Sequence, residues 1–196
     1  GELLKSISVN WYKSTTLLNE LTKTIANDVT RDALNGETNV VKNYGFVPSE
    51  ERCLGTRLSG AIARGNFDNR FKNLESTELR FANGSILGNG VAAFNQNKVG
   101  IYTEGGAQDG VGKMALGGKI VILKGKNKFG KRVDGSVGKG FAYGAQAGLF
   151  IVQGDADSRA GIRLSGADVI IGGEIKTKID DSLGVIGSRA NIKGFA

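Results

Sequence analysis

The sequence predicts an all-β fold, a single-stranded parallel β-helix with one N-terminal packing helix, and three observations carry that prediction. Glycine supplies 31 of the 196 residues, about twice the ordinary share, while proline occurs once, at Pro48. After Pro48, short β-branched or aromatic clusters recur at a nearly constant interval. Glycine-framed segments of matching sequence precede several of them. With 40% apolar and 23% charged residues the chain holds enough apolar surface for one core, which excludes disorder. The glycines keep no three-residue period, which excludes collagen.

Residues 1–48 form an N-terminal segment and 49–196 the glycine-rich β-helix, since only Gly1, Gly36 and Gly45 precede Pro48. From Ser14 onward Leu17, Leu18, Leu21, Ile25, Val29 and Ala33 return at helical spacing, which predicts a helix over about 14–35. Ser14 or Thr15 serves as its N-cap and Asn35-Gly36 as its stop, because both of the latter tolerate the left-handed conformation that ends helices. One apolar stripe needs a surface to cover it, so this helix lies on the glycine-rich part and caps one open end.

The clusters are Leu79–Phe81, Val99–Tyr102, Ile120–Leu123, Phe150–Val152, Val169–Ile171 and the neighbourhood of Ile192, with centres 21, 20, 30, 19 and 22 residues apart. A period near 20, with one short strand and one glycine corner per turn, suits a stacked coil. The long interval contains Lys124–Arg132, read as an insertion looping out of a single turn. Gly55-Thr-Arg-Leu-Ser-Gly60-Ala61 and Gly161-Ile-Arg-Leu-Ser-Gly166-Ala167 differ at one position, and Gly112-Lys-Met-Ala-Leu-Gly117-Gly118 keeps their spacing. A helix with a glycine every five or six residues loses roughly 1 kcal/mol at each, so these segments read as corners. An antiparallel sandwich, the second choice, would place strand signals every 8–12 residues.

The formal charge is +7, distributed as −1 over residues 1–50 and +8 over 51–196. Lys124-Gly-Lys126-Asn-Lys128-Phe-Gly-Lys131-Arg132 is the densest basic run. It reads first as a solvated loop, then as a protein docking surface, and last as a nucleic-acid site, because Phe129 is its one aromatic and no nucleic-acid module surrounds it.

Cys53 is the single cysteine and histidine is absent, so one chain cannot form a disulfide, a cysteine-based zinc or iron–sulfur site, or an imidazole-based catalytic triad. Ser136 is not in a nucleophile elbow, because Asp134 stands where glycine is required. Gly88-Asn-Gly90-Val-Ala-Ala93 and Gly110-Val-Gly112-Lys-Met-Ala115 imitate a dinucleotide fingerprint, but Gly117-Gly118 interrupts the helix that would receive the phosphates. Gly138-Lys-Gly140 repeats the start again, as corners do. A phosphate loop at Gly118-Lys119 fails because Lys113 replaces its first glycine. Asp155 with Asp157, and Asp180 with Asp181, sit in turn-like sequence where aspartate caps its own backbone. Arg57 and Arg163 occupy equivalent places in the matching segments, which favours a structural role over anion binding.

Gly55-Thr-Arg-Leu-Ser-Gly-Ala-Ile-Ala-Arg64, Asp109 through Ile122, Tyr143 through Gly154 and Arg163-Leu-Ser-Gly-Ala167 resemble, in this order, the C-terminal GXGXG (β-helix) domain of the glutamate synthase large subunit. The likeness covers roughly residues 15–175. It implies a right-handed parallel β-helix without flavin, cluster or catalytic residue, packed as a scaffold between domains that release ammonia from glutamine and reduce 2-iminoglutarate on flavin. No catalytic, cofactor-binding or metal-ligating residue is therefore assigned, and no activity is expected of the chain alone.

The implied partners are an FMN- and iron–sulfur-bearing glutamate synthase subunit and a glutamine amidotransferase subunit; nucleic acid and membrane are not among them. Self-association through the open end near Ile192 is a further expectation. The glycine-repeat subunit of formylmethanofuran dehydrogenase is similar in its repeats, so a scaffold in such a complex is the alternative. A free-standing hydrolase of small esters, through Ser59 or Ser165, is the third. With no run of 18 apolar residues and no signal-peptide pattern, a cytoplasmic location is expected.

Overall fold

Helical periodicity in the N-terminal segment produces α1, Glu20–Leu34, in a computed structural model that describes residues 20–175. Ile25 and Val29 are fully buried, and Leu21 and Ala33 pack against them half-covered. The expected cap at Ser14 or Thr15, with Leu17 and Leu18, lies outside the described residues. Its stop falls at Asn35-Gly36: Gly36, at φ 100°, donates to Ala33 O, and Glu37 donates to Asp32 O across the helix end. This is the Schellman pattern, which satisfies carbonyls that a helix end would otherwise orphan.

A short strand, β1 (Asn39–Asn43), comes next, followed by a second helix, α2 (Thr56–Phe67). Leu58, Ser59, Ile62 and Gly65 form the buried face of α2, which packs on α1. Then come β2 (Ser76–Leu87), β3 (Val99–Ala107), β4 (Leu116–Leu123), β5 (Gly125–Lys126), β6 (Arg132–Val133), β7 (Ala147–Val152) and β8 (Asp168–Ile171). Six strands make one parallel sheet in the order β1-β2-β3-β4-β7-β8, and β5 with β6 makes a separate antiparallel ribbon.

Register places like residues in columns across the sheet. Leu79, Ile101, Ile120, Phe150 and Val169 are paired in sequence along one row, and every one is fully buried. The turns between strands close the core over this face. Val91, Val111 and Phe141 are fully buried there, and the Phe141 ring lies 6.3 Å from that of Phe150. These turns are not strands: their residues alternate into positive φ at Gly90, Ala92 and Phe94, at Gly110, Gly112 and Met114, at Gly140, Ala142 and Gly144, and at Arg159, Gly161 and Arg163. Successive turns hydrogen-bond to one another, as in Gly112 N–H to Val91 O and Ala142 N–H to Val111 O. From Ala107, paired with Leu87 at the end of the β2–β3 ladder, isolated parallel bridges continue to Val137, Ala156 and Ile175.

The expectation of an all-β, single-stranded right-handed parallel β-helix with one packing helix is corrected: the fold is α/β, a six-stranded parallel sheet with two helices. Two observations overturn it. The segment Gly55–Ala61, read as a corner, starts α2, because a buried Leu58/Ile62 face and a close approach of Gly65 to the Phe71 ring outweigh the propensity cost of its glycines. The N-terminal segment also contributes β1, which joins the sheet beside β2. Each of the five clusters within the described residues lies in a strand; the one near Ile192 lies outside them.

Candidate functional site

Nucleophilic catalysis needs a hydroxyl or thiol beside a base, and Ser59, Ser136, Ser165 and Cys53 are placed as follows. Ser59 is buried in α2, with its hydroxyl 3.5 Å from Asn95 Oδ1. Ser165 Oγ donates to Ala145 O at 3.4 Å, and Ser136 Oγ accepts from Asp155 N–H at 3.0 Å. Cys53 is exposed just before α2, at φ 54°. Among the described residues no three His, Cys, Asp or Glu side chains converge as a metal site.

The dinucleotide-like glycine segments are rungs of the turn stack. Gly90, Gly110 and Gly140 N–H groups donate to Asp109, Lys139 and Ser158 carbonyls at 2.8, 2.8 and 2.9 Å. Amides committed to a neighbouring turn cannot cradle a phosphate. Asp157 Oδ1 accepts from Ser158 N–H within its own turn, as the turn-like sequence predicts, whereas Asp155 Oδ1 accepts from Glu174 N–H, 19 residues further along the chain. Asp180 and Asp181 lie outside the described residues. Arg57 and Arg163 are not equivalent. The former sits on α2 beside Arg64, in a groove against Asn27 and Thr30 of α1; the latter sits in a positive-φ turn.

The basic run is ordered rather than loose. Asn127 Oδ1 accepts from the N–H groups of Phe129 and Lys131, both at 3.0 Å, and Gly130 N–H returns to Asn127 O at 2.9 Å. These bonds close the β5–β6 tip and leave the Phe129 ring 81% exposed. At the root, β2 slips its register between Phe81 and Ser85, which projects Asn83 outward. Its side-chain amide donates to Lys126 O at 2.9 Å and accepts from Lys126 N–H at 2.5 Å, pairing with the hairpin as a strand residue would.

Beside this clamp lies an open cleft of 340 Å³ on the outer sheet face, lined by Arg80, Asn83, Tyr102, Glu104, Val121 and Leu123 among others. The Arg80 guanidinium and the Lys119 ammonium stand 5.6 and 5.8 Å from the Tyr102 ring. Burial, and then the Glu78 carboxylate, push the Tyr102 hydroxyl above its ordinary range. Arg80 pairs with Glu78, and Arg132 reaches Glu104 at 4.0 Å. Lys119, Lys124, Lys126, Lys128 and Lys131 make no ion pair among the described residues.

Sequence reading found the cations and Phe129. It missed the Asn83 clamp, which acts across 43 residues and has no local signal. A second basic groove, of 410 Å³, runs over the turns past Lys113, Lys139, Tyr143 and Arg159, with Asp109 engaged by Lys139 N–H at 2.8 Å.

Residues 20–179 match the family described as GXGXG motif. The chain is 33% identical over 144 residues to ferredoxin-dependent glutamate synthase 2 of Synechocystis sp., a match covering 73% of this chain and 9% of that protein. It is 32% identical over 143 residues to the ferredoxin-dependent glutamate synthase of Pyropia yezoensis, again 9% of the relative. To the glutamate synthase (NADPH) large chain of Azospirillum brasilense it is 30% identical over 126 residues, 63% of this chain and 8% of the relative. The chain thus spans less than a tenth of the relatives it matches. No described helix is long and apolar enough to cross a membrane.

Proposed function

The chain belongs to the GXGXG-motif family, as a domain related to the glutamate synthase large subunit, and we propose that it is a non-catalytic structural component of a glutamate synthase. In this role it holds a glutamine amidotransferase and an FMN- and iron–sulfur-bearing synthase component in register, in the cytoplasm. The single observation that carries the reading is the match over residues 20–179 to a family whose relatives here are glutamate synthases. The placement of Ser59 and Ser165 supports it against the ester-hydrolase alternative, since the one is enclosed in a helix and the other bonded to a carbonyl.

Native purification of the chain from its source cells, followed by mass spectrometry, tests the assignment. Recovery of a flavin-containing synthase component and a glutamine amidotransferase is the expected result. Recovery of molybdopterin subunits instead would move the chain to a formylmethanofuran dehydrogenase-like complex, and recovery of neither would remove the scaffold role.

A further inference from the structure

The ten residues Lys124–Val133 carry five cations and no carboxylate, and they account for the one interval that exceeds the repeat of about 20. A loop that merely spaced two strands would need no internal order. This one commits the Asn127 side chain to its tip and the Asn83 side chain to its root. Both devices freeze the hairpin before any partner arrives, which lowers the ordering cost of association. What they hold out is an aromatic ring 81% exposed, flanked in sequence by Lys126, Lys128 and Lys131, with Lys128 Nζ 5.0 Å from the ring centre.

An exposed aromatic on a rigid support is the composition of an interface anchor. The cleft at the hairpin root extends the same surface, since Asn83 and Glu104 line it while binding Lys126 and Arg132. Its rim adds Lys119, and its floor includes Val121 and Leu123.

We infer that the β5–β6 hairpin and the cleft at its root form a docking surface for an acidic protein face with an apolar socket for Phe129. Charge complementarity selects the partner: five lysines without carboxylate partners can be matched by a face rich in aspartate and glutamate. A nucleic acid would use the cations too, but single strands are held by successive stacked aromatics, and the hairpin offers one. The inference rests on the assembly reading above, which supplies the partners to be probed.

The test immobilises the full chain and measures binding of the FMN-bearing synthase polypeptide and the glutamine amidotransferase from the same cells. Wild type should bind at least one of them, and raising salt from about 0.05 to 0.3 M should weaken that binding about tenfold. Phe129→Ala should raise Kd about 30-fold without changing the salt dependence. The pair Lys128→Glu with Lys131→Glu should raise it about tenfold and flatten the salt dependence. Asn83→Ala keeps every charge and should weaken binding about threefold by loosening the root. Lys113→Glu with Lys139→Glu, on the turn groove, should leave Kd unchanged.

If wild type binds and the hairpin variants bind equally well, the docking surface is refuted while the assembly reading stands. If neither polypeptide binds wild type, both fall. A single-stranded RNA of about 20 nucleotides held more tightly than either protein, and released by Phe129→Ala, would make the hairpin a nucleic-acid element and overturn the inference.

Discussion

Replacing Gly118 by alanine should destabilise the chain by about 4 kcal/mol or more, while the same change at Gly140 should cost about 1–2 kcal/mol. The two glycines share a left-handed backbone, φ 79° and 69°, so the conformational cost of a Cβ is common to both. They differ in surroundings. A Cβ at Gly140 meets nothing within 4 Å. At Gly118 it falls on the backbone carbonyl oxygens of Val99 and Gln96 and on the Asn95 side-chain amide, which its hydrogen bonds hold in place. Asn95 is fully buried, and its amide donates to Val99 O at 2.9 Å and Gly117 O at 3.1 Å. Displacing it leaves buried polar groups unpaired, at about 1–3 kcal/mol each. Urea unfolding of the two variants followed by far-UV circular dichroism measures the difference. For a chain of this size it should appear in thermal melts as a drop in Tm of about 10 °C or more against about 4 °C. Equal losses at the two positions would refute the packing described between the β4 entry and the Asn95 turn.

Three further outcomes follow from other parts of the molecule. The Tyr44 hydroxyl is buried without a hydrogen-bond partner, so Tyr44→Phe should stabilise by about 1 kcal/mol at neutral pH in chemical denaturation. Burial first, and the Asp28 and Asp32 carboxylates second, raise the Tyr44 hydroxyl above its ordinary range. The fold keeps this hydroxyl neutral, so it adds no ionisation cost below about pH 10, stability declines as the pH rises further, and Tyr44→Phe should flatten this alkaline limb. Asp32 is held below the usual carboxylate range, chiefly by its hydrogen bond from Lys42 on β1. That contribution is present above the ordinary carboxylate range and is lost as the pH falls through the lowered value. Asp32→Asn should therefore remove stability at pH 7 and flatten the acid limb below about pH 4, in urea midpoints taken across pH. Arg159 sits at φ 65°, so Arg159→Asn should stabilise by about 0.5 kcal/mol in the same assay, because asparagine tolerates that backbone.

Strand positions were legible because the parallel sheet repeats one requirement at a fixed period. The cluster centres Arg80, Val121, Ile151 and Ile170 fall in a single register row, and Ile101 stands one residue from it, beside Tyr102. The backbone of the turns was not legible, because alanine, methionine and arginine have no local preference for positive φ. Ala92, Met114 and Ala142 adopt it where their N–H groups donate to a neighbouring segment, at Leu54 O, Tyr143 O and Val111 O, and Arg163 adopts it beside Ile162, whose carbonyl accepts from Gly144 N–H. Catalytic groups could be argued against from composition and motif spacing, and β1 carries too short an apolar signal, Val40 and Val41, to stand out from its loop.

The matching segments Gly55–Ala61 and Gly161–Ala167 show where local reading ends. They differ by one residue, yet Thr56–Phe67 is helix and the second segment is turn. Their continuations decide between them. After Ala61, Ile62 extends the Leu58 stripe by one helical turn, and Gly65 brings the Phe71 ring against the helix. After Ala167, Asp168-Val169-Ile170-Ile171 alternates buried with outward residues, and Val169 completes the row begun by Leu79. A heptapeptide that suits both states takes the one whose downstream neighbours bury more apolar surface, which is tertiary context overriding propensity.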